Sequence, residues 1–217
     1  MLVRLYVYLA MTWQGYPAML ICMTKRILLV DGHPDSRAGR FVHALSKAYC
    51  DGARGCGHEI KNITVSELDF AMLRTNEDFQ TGVPAEPIRA CQELFTWADH
   101  IVILFPLWLG SMPALLKAFF EQVLRPGFAF AAGSGKGFPT KLLGGRSARI
   151  DVTMGMPGLF YRWYFRAHSV KSLERNILKF CGILPIRLSI VGSVEAMGAA
   201  GRGSWLARMQ RLGRCAL

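Results

Sequence analysis

The stretch Ala98-Asp-His-Ile-Val-Ile-Leu-Phe-Pro-Leu-Trp-Leu-Gly-Ser-Met-Pro-Ala-Leu-Leu-Lys117 reads as a strand, a loop and a helix in immediate succession. Ile101 to Phe105 is an unbroken apolar run of strand length, as expected for a parallel strand covered on both faces. Pro106 has no N–H to give a neighbouring strand, so the strand should stop there. Pro113 suits the start of a helix, where a missing N–H is no loss. Between the two prolines the chain turns while carrying Leu107, Trp108 and Leu109. Ligands of open α/β sheets bind beyond the carboxyl ends of the strands. An aromatic, apolar loop at that place suits a flat ring better than a phosphate or a metal.

The chain on either side of this stretch repeats the same alternation. Lys25 to Asp31 is a buried strand, followed by turn chemistry in Gly32-His-Pro-Asp-Ser36. Phe41, Ala44, Leu45 and Ala48 then recur at helical spacing. Residues 57–65 read as the second strand and residues 66–84 as a long polar loop. Pro87 can open a helix with Ile88, Cys91, Leu94 and Phe95 inward. After the opening stretch, whose helix runs on through Phe119, Phe120, Val123 and Leu124, residues 125–143 form a Gly/Pro-containing excursion. Residues 146–153 are the fourth strand, ended by Met154-Gly-Met-Pro-Gly158. A dense aromatic patch, residues 160–165, precedes a helix with Val170, Leu173, Ile177 and Leu178 inward, which Gly182 should end. Ile186 to Val191 is the fifth strand, and Ser204 can cap a last helix with Trp205, Leu206, Met209 and Leu212 inward. Strands and helices alternating in this way predict one α/β domain: a doubly wound, five-stranded parallel sheet, order 2-1-3-4-5, with helices on both faces.

Composition agrees and narrows the class. A chain of 217 residues fits one domain with a sizeable core, and 52% hydrophobic with 19% charged residues excludes disorder as the main state. Residues 1–135 hold 12 basic and 12 acidic side chains, whereas residues 136–217 hold 14 and 3, so the whole excess of +11 sits in the last part. No Lys/Arg block is contiguous, which favours a solvated basic face over a dedicated anionic partner such as a nucleic acid or a membrane leaflet. The six cysteines include no C-x-x-C pair, and Cys50, Cys56 and His58 lack a zinc spacing. Cys91 and Cys181 fall on core faces. Reduced thiols in a reducing, cytoplasmic compartment, and no metal, are expected. Residues 1–22 are apolar but broken by Arg4, Gln14, Gly15 and Pro17, unlike a membrane span or a signal peptide. They read as an extension outside the fold, from an upstream start codon, with peripheral membrane contact as the alternative; the domain proper is 23–217.

The predicted strand order brings three loops to one edge. In the first, residues 32–40, free N–H groups at a helix start favour an anion, and His33, Ser36, Arg37 and Arg40 add donors. Asp35 works against an anion there unless it points away or caps the helix. The second is the Pro/Trp loop. The third, residues 153–158, offers a hydroxyl and backbone N–H groups with little bulk. Together they make a phosphate seat, an apolar platform and a polar wall, a combination that fits a flavin. Ala131-Ala-Gly-Ser-Gly-Lys-Gly137 resembles a P-loop superficially but lacks the first glycine and the Ser/Thr after the lysine, and reads as a flexible flap. No G-x-G-x-x-G follows the first strand and no G-x-S-x-G elbow is present.

From Lys25 onward the chain resembles the flavodoxin-like NAD(P)H:quinone oxidoreductase family, of the quinone reductase or DT-diaphorase type. The resemblance is carried by Gly32-His33-Pro34, by residues 105–121 (Phe-Pro-Leu-Trp-Leu-Gly-Ser-Met-Pro-Ala-Leu-Leu-Lys-Ala-Phe-Phe-Glu), by Pro126-Gly-Phe-Ala-Phe130 and by Val152-Thr-Met-Gly-Met-Pro157. It implies a non-covalent FAD or FMN, and ping-pong transfer of hydride from NAD(P)H to flavin N5 and on to a quinone or similar acceptor. It also implies a homodimer with each site at the subunit boundary. By position, His33, Ser36, Arg40 and Phe41 would hold the flavin phosphate, Pro106, Leu107, Trp108 and Leu109 would flank the ring, and Thr153, Met154 and Gly155 would meet its pyrimidine edge. Tyr161 and His168 follow the Gly turn where the family places a catalytic Tyr and His, at a shifted spacing; packing at a dimer interface is the other reading of Tyr161 and Tyr164. Trp108, Phe130 and Phe160 form the expected pocket for a planar acceptor. Two alternatives differ in class: a flavin-binding accessory subunit of a potassium efflux system, to which the basic C-terminal part would dock, and a single-electron carrier flavodoxin.

Overall fold

The computed structural model describes residues 5–11, 17–131 and 139–217. Strands β1 (Leu5–Met11) and β2 (Pro17–Met23) pair antiparallel with each other and with no other described strand. There follow β3 (Arg26–Asp31), α1 (Phe41–Gly55), β4 (Glu59–Thr64), a 3-10 turn (Val65–Glu67), α2 (Asn76–Thr81), α3 (Glu86–Trp97), β5 (His100–Pro106) and α4 (Ala114–Val123). The short hairpin β6 (Phe130–Ala131) and β7 (Thr140–Lys141) leads to β8 (Ser147–Thr153), α5 (Gly158–Trp163) and α6 (His168–Ser172). A π-helical turn (Leu173–Leu178), α7 (Lys179–Cys181), β9 (Ile186–Val191) and α8 (Ala199–Arg214) complete the chain.

Five strands pair in parallel in the order β4-β3-β5-β8-β9, the 2-1-3-4-5 arrangement expected of the alternation. Alternate side chains of one strand go to opposite faces. Leu28, Val30, Ile101, Ile103 and Phe105 therefore pack towards α3 and α4, with Phe95, Leu116 and Phe119. Ile27, Leu29, Val102 and Leu104 pack on the other face with Leu45 and Tyr49 of α1 and Met209 of α8. All seven residues of β5 are buried, which is why it reads as an unbroken apolar run rather than an alternating one. Each fully buried Leu or Ile contributes about 1.5–3 kcal/mol relative to exposure.

Helices α1 and α8 meet backbone to backbone. A Cβ at Gly52 would lie 2.0 Å from the Gln210 carbonyl oxygen, and one at Gly213 would lie 2.1 Å from that of Tyr49. Only glycine allows that approach. His58 ties the end of α8 to the sheet: Lys25 N–H donates to its Nδ1 at 3.1 Å, so Nε2 carries the proton and donates to the Arg214 carbonyl at 3.0 Å. Cys91 and Cys181 are buried and free as expected, and burial pushes their thiols up, to about 11 and about 12.

Several local expectations need correction. The presumed loop 66–84 contains α2, capped by the Thr75 hydroxyl, which accepts from Asp78 N–H at 3.0 Å. No residue of α2 is buried, so it leaves no apolar period in the sequence. The last helix starts at Ala199 with Gly198 as N-cap, not at Ser204, because its first turn lacks an inward apolar residue. The aromatic patch 160–165 winds largely into α5, and the helix expected over residues 170–178 is split by the π-turn. That wider turn sets Leu173 and Leu178, five apart, both into the core. The flap segment lies mainly in residues 132–138, outside the described residues.

Candidate functional site

The carboxyl ends of β3, β5 and β8 open into one cavity of about 270 Å³. His33, Arg40, Phe41, Pro106, Leu107, Trp108, Thr153, Met154 and Gly155 line it, together with Val42, Val194 and Glu195. Nine of the eleven residues expected to hold a cofactor thus converge. Ser36 instead lines a cleft of about 520 Å³ on the opposite side of the first loop, between α1 and β4. Leu109 is fully exposed, at the tip of its turn.

Hydrogen bonds from β3 onward set the first loop. Gly32 N–H donates to the Leu104 carbonyl at 2.7 Å, tying the loop to β5. His33 N–H donates to Asp31 Oδ1, and Asp35 N–H donates to His33 Nδ1 at 3.0 Å. An accepting Nδ1 leaves the imidazole proton on Nε2. Burial lowers the His33 pKa, and the neighbouring His43, whose ring centroid is 5.3 Å away, lowers it further. His33 is therefore a neutral donor at the cavity wall. Asp35 does not oppose an anion as its position in the sequence threatened. Its carboxylate accepts from Arg37, whose Nη2 lies at 2.7 Å, and from Arg40, whose Nε lies at 2.8 Å. Those partners hold it well below the usual carboxylate range. Arg40 also precedes α1, whose first N–H groups have no intrahelical acceptors. Phe41 and Val42 bring that helix start to the cavity.

The second loop is a reciprocal turn. Trp108 N–H donates to Ser111 O at 2.8 Å and Ser111 N–H to Trp108 O at 2.9 Å, with φ of 47° at Leu109 and 76° at Gly110. Two successive positive φ values turn the chain sharply and leave Trp108 standing beside the cavity. The indole is 51% exposed and meets the His33 ring edge-on at 6.2 Å. Leu107 N–H donates to the Thr153 carbonyl at 2.7 Å, which joins this loop to the third.

The third loop is stapled to the turn after β9: Met154 N–H donates to Val191 O at 2.9 Å and Val194 N–H to Met154 O at 3.1 Å. That pairing delivers Val194 and Glu195, which lie outside the three strand-end loops expected from the sequence. The usable signal was a Gly-Ser-Val-Glu turn directly after an apolar strand.

The remaining candidates lie elsewhere in the single chain. Tyr161 is buried in the core with no hydrogen-bond partner of ordinary geometry for its hydroxyl, and burial raises its pKa against the influence of Val170 and Ser169. His168 is the exposed first residue of α6. Phe130 lines a separate apolar cavity of about 190 Å³, where its ring meets Phe180 at 4.8 Å. Phe160 is exposed and stacks on Tyr164 at 5.1 Å.

A family profile described as a flavodoxin-like fold matches residues 25–211. The chain belongs to this flavodoxin-like family. Among its relatives, an uncharacterized NAD(P)H oxidoreductase of Haemophilus influenzae is 24% identical over 81% of this chain and 87% of that protein. A ribosyldihydronicotinamide dehydrogenase [quinone] of Pongo abelii is 29% identical over 87% and 92%. The potassium-efflux ancillary protein KefG of Cronobacter sakazakii is 32% identical over 66% of this chain, a match that spans 65% of KefG. The flavodoxin-like profile begins at residue 25, one residue before β3, and runs through all three site loops.

Proposed function

We propose that this chain is a flavin-dependent NAD(P)H oxidoreductase that delivers electrons to a quinone or similar acceptor. The observation that carries this reading is one cavity whose lining joins His33, Arg40 and the start of α1 to an apolar, aromatic wall of Pro106, Leu107 and Trp108. The residues fit a flavin. His33 Nε2–H, Arg40 and the start of α1 suit a phosphate, Pro106, Leu107 and Trp108 suit a ring face, and Thr153 and Gly155 suit the polar ring edge. Glu195 suits hydroxyls of the linking chain. The names of the Haemophilus and Pongo relatives support the electron donor and acceptor classes. When bound, a flavin supplies hydride acceptance from the dihydronicotinamide and its return to the acceptor. The protein has to position both partners in turn against the exposed ring face and hold donors near the edge that gains charge.

The open side of the platform supports a homodimer. Trp108 is half exposed, and Phe160, Trp163 and Tyr164, on α5 and just beyond it, are exposed aromatic side chains. Phe130 then joins the substrate pocket only from a second copy, and Tyr161, sunk in its own core, contributes through packing. The ancillary-subunit reading is supported by the likeness to KefG and by the basic surplus of residues 136–217. It covers less of the chain than the oxidoreductase reading. No helix among the described residues is long and apolar enough to cross a membrane.

Purified protein is expected to release FMN or FAD on denaturation, with mass spectrometry identifying which, and to consume NAD(P)H steadily with a quinone. Trp108→Ala is expected to weaken flavin binding by roughly tenfold, from lost ring contact. A colourless protein that takes up no flavin on reconstitution overturns the reading, and unchanged flavin affinity in Trp108→Ala overturns the platform role.

Residues 1–22 are proposed to stand outside the domain 23–217, in keeping with β2 pairing, among the described strands, with β1 alone and with a family match that starts at residue 25. Deleting them is expected to leave the melting temperature and flavin binding unchanged; loss of either would contradict this boundary.

A further inference from the structure

His43 lies on α1, close to the cofactor cavity but not lining it. Its Nδ1 is 2.7 Å from Asp31 Oδ2, and its Nε2 is 2.9 Å from the Asp35 carbonyl oxygen. A carbonyl accepts only, so Nε2 must donate. The Asp31 carboxylate accepts from Ser46 Oγ at 2.9 Å and from His33 N–H at 3.1 Å, and it takes the second imidazole proton as well. Both ring nitrogens are donors, which is the imidazolium form.

The residue that His43 grips organises the cavity. Asp35 N–H sets the His33 tautomer, and the Asp35 carboxylate aims Arg40. One residue thus places both side-chain donors of the phosphate end, and its third polar group, the carbonyl, is held by His43. The ring of His43 also lies against that of His33.

We propose that His43 is a positioning residue: clamped as a cation between Asp31 and the Asp35 carbonyl, it fixes Asp35, and through Asp35 it orients His33 and Arg40 so that the site selects phosphorylated over unphosphorylated flavin. The inference rests on the flavin reading above. The charged and titratable groups around His43 are Asp31 at the end of β3, His33, Asp35 and Arg40 in the loop, Lys47, Cys50 and Arg54 on its own helix, and Glu67 across the shared cleft. Burial works against the charge, but the hydrogen bonds to Asp31 and Asp35 and the charges of both carboxylates outweigh it, so the pKa is raised. A raised pKa means the clamp is complete at and below the ordinary imidazole range and is lost as pH climbs through the higher value. A flavin phosphate gains its second charge near pH ~6, so the informative window lies above that.

The test measures FMN and riboflavin binding by fluorescence quenching from neutral to alkaline pH, in the wild type and in His43→Gln. FMN affinity of His43→Gln is expected to fall about tenfold at pH 7, the effect of one charge-assisted contact, with riboflavin affinity within about twofold of wild type. The wild-type preference for FMN should decline with rising pH, and the variant should show a flat profile. His43→Lys, which keeps the charge, should recover part of the FMN affinity. Equal losses for FMN and riboflavin, or a wild-type preference that ignores pH, would overturn the proposal. Should His43→Gln not fold, ring nitrogen NMR of the wild type decides: two protonated nitrogens support the clamp and a single tautomer refutes it. A wild type that binds neither of these ligands nor FAD sinks the flavin reading instead, and the ring nitrogens still judge the clamp.

Discussion

Replacing His33 and Arg40 together by alanine is expected to lower FMN affinity by about 100-fold, while riboflavin affinity changes by less than about threefold. The size follows from two hydrogen bonds to a charged group, taken at the lower end of about 1.5–3 kcal/mol each because the Arg40 side chain is partly exposed. The direction follows from the geometry. His33 presents Nε2–H because Asp35 N–H occupies Nδ1, and Arg40 is aimed by the Asp35 carboxylate. Neither residue is needed by the sheet: both sit in the loop between β3 and α1. Titration with both ligands separates phosphate recognition from general damage to the cavity. If the double variant bound FMN as tightly as wild type, the phosphate would have to sit elsewhere, and the assignment of the first loop would be lost.

The second large effect lies beneath the site. Arg149 and Asp151 of β8 form a buried ion pair, with Nε at 3.1 and 2.9 Å from the two carboxylate oxygens. Their side chains are 4% and 0% exposed, and the Arg149 guanidinium also donates to the Ser189 hydroxyl on β9. Asp151→Leu leaves a cation without its partner in the interior and is expected to destabilise the fold by about 3–5 kcal/mol. Arg149→Met combined with Asp151→Leu removes both charges and should recover most of that loss, because a well-packed apolar pair serves as well as a buried ion pair. Urea denaturation midpoints of the three proteins measure it. A single variant as stable as wild type would show that the pair carries no such penalty. The same strand ends in Thr153, on the face shared by Arg149 and Asp151, so the damaged single variant should also hold flavin poorly.

Much of the fold was legible because parallel strands covered on both faces leave short apolar runs between turn residues. Residues 26–31 and 100–106 show this pattern, residues 147–153 and 186–191 alternate apolar with polar side chains, and the order of all four in the sheet followed from the regular alternation with helices. Helix α2 was illegible for the opposite reason: it buries nothing, so only its Thr75 cap marks it. The start of α8 was illegible because its first turn, from Ala199 to Arg202, carries no inward apolar residue; the apolar period begins only at Trp205, with Leu206, Met209 and Leu212 packed on the core.

The site divides in the same way. Local chemistry marked the three strand-end loops, since a proline-framed tryptophan and a Gly-His-Pro turn carry their meaning within a few residues. The sequence alone therefore settled the sheet, its order and most of the cavity wall. It did not settle which partner each polar side chain would choose. Asp35 looked like an obstacle to an anion, but in the fold it becomes the residue that aims Arg40 and sets the proton of His33. Glu195 and Val194 reach the cavity only because β9 closes beside β8. Tyr161, placed by its sequence near the reacting edge, is drawn into the core instead. Hydrophobic burial is read from a local period, whereas hydrogen-bond partners and charge pairs depend on contacts between segments far apart in the chain. Only tertiary structure sets those contacts.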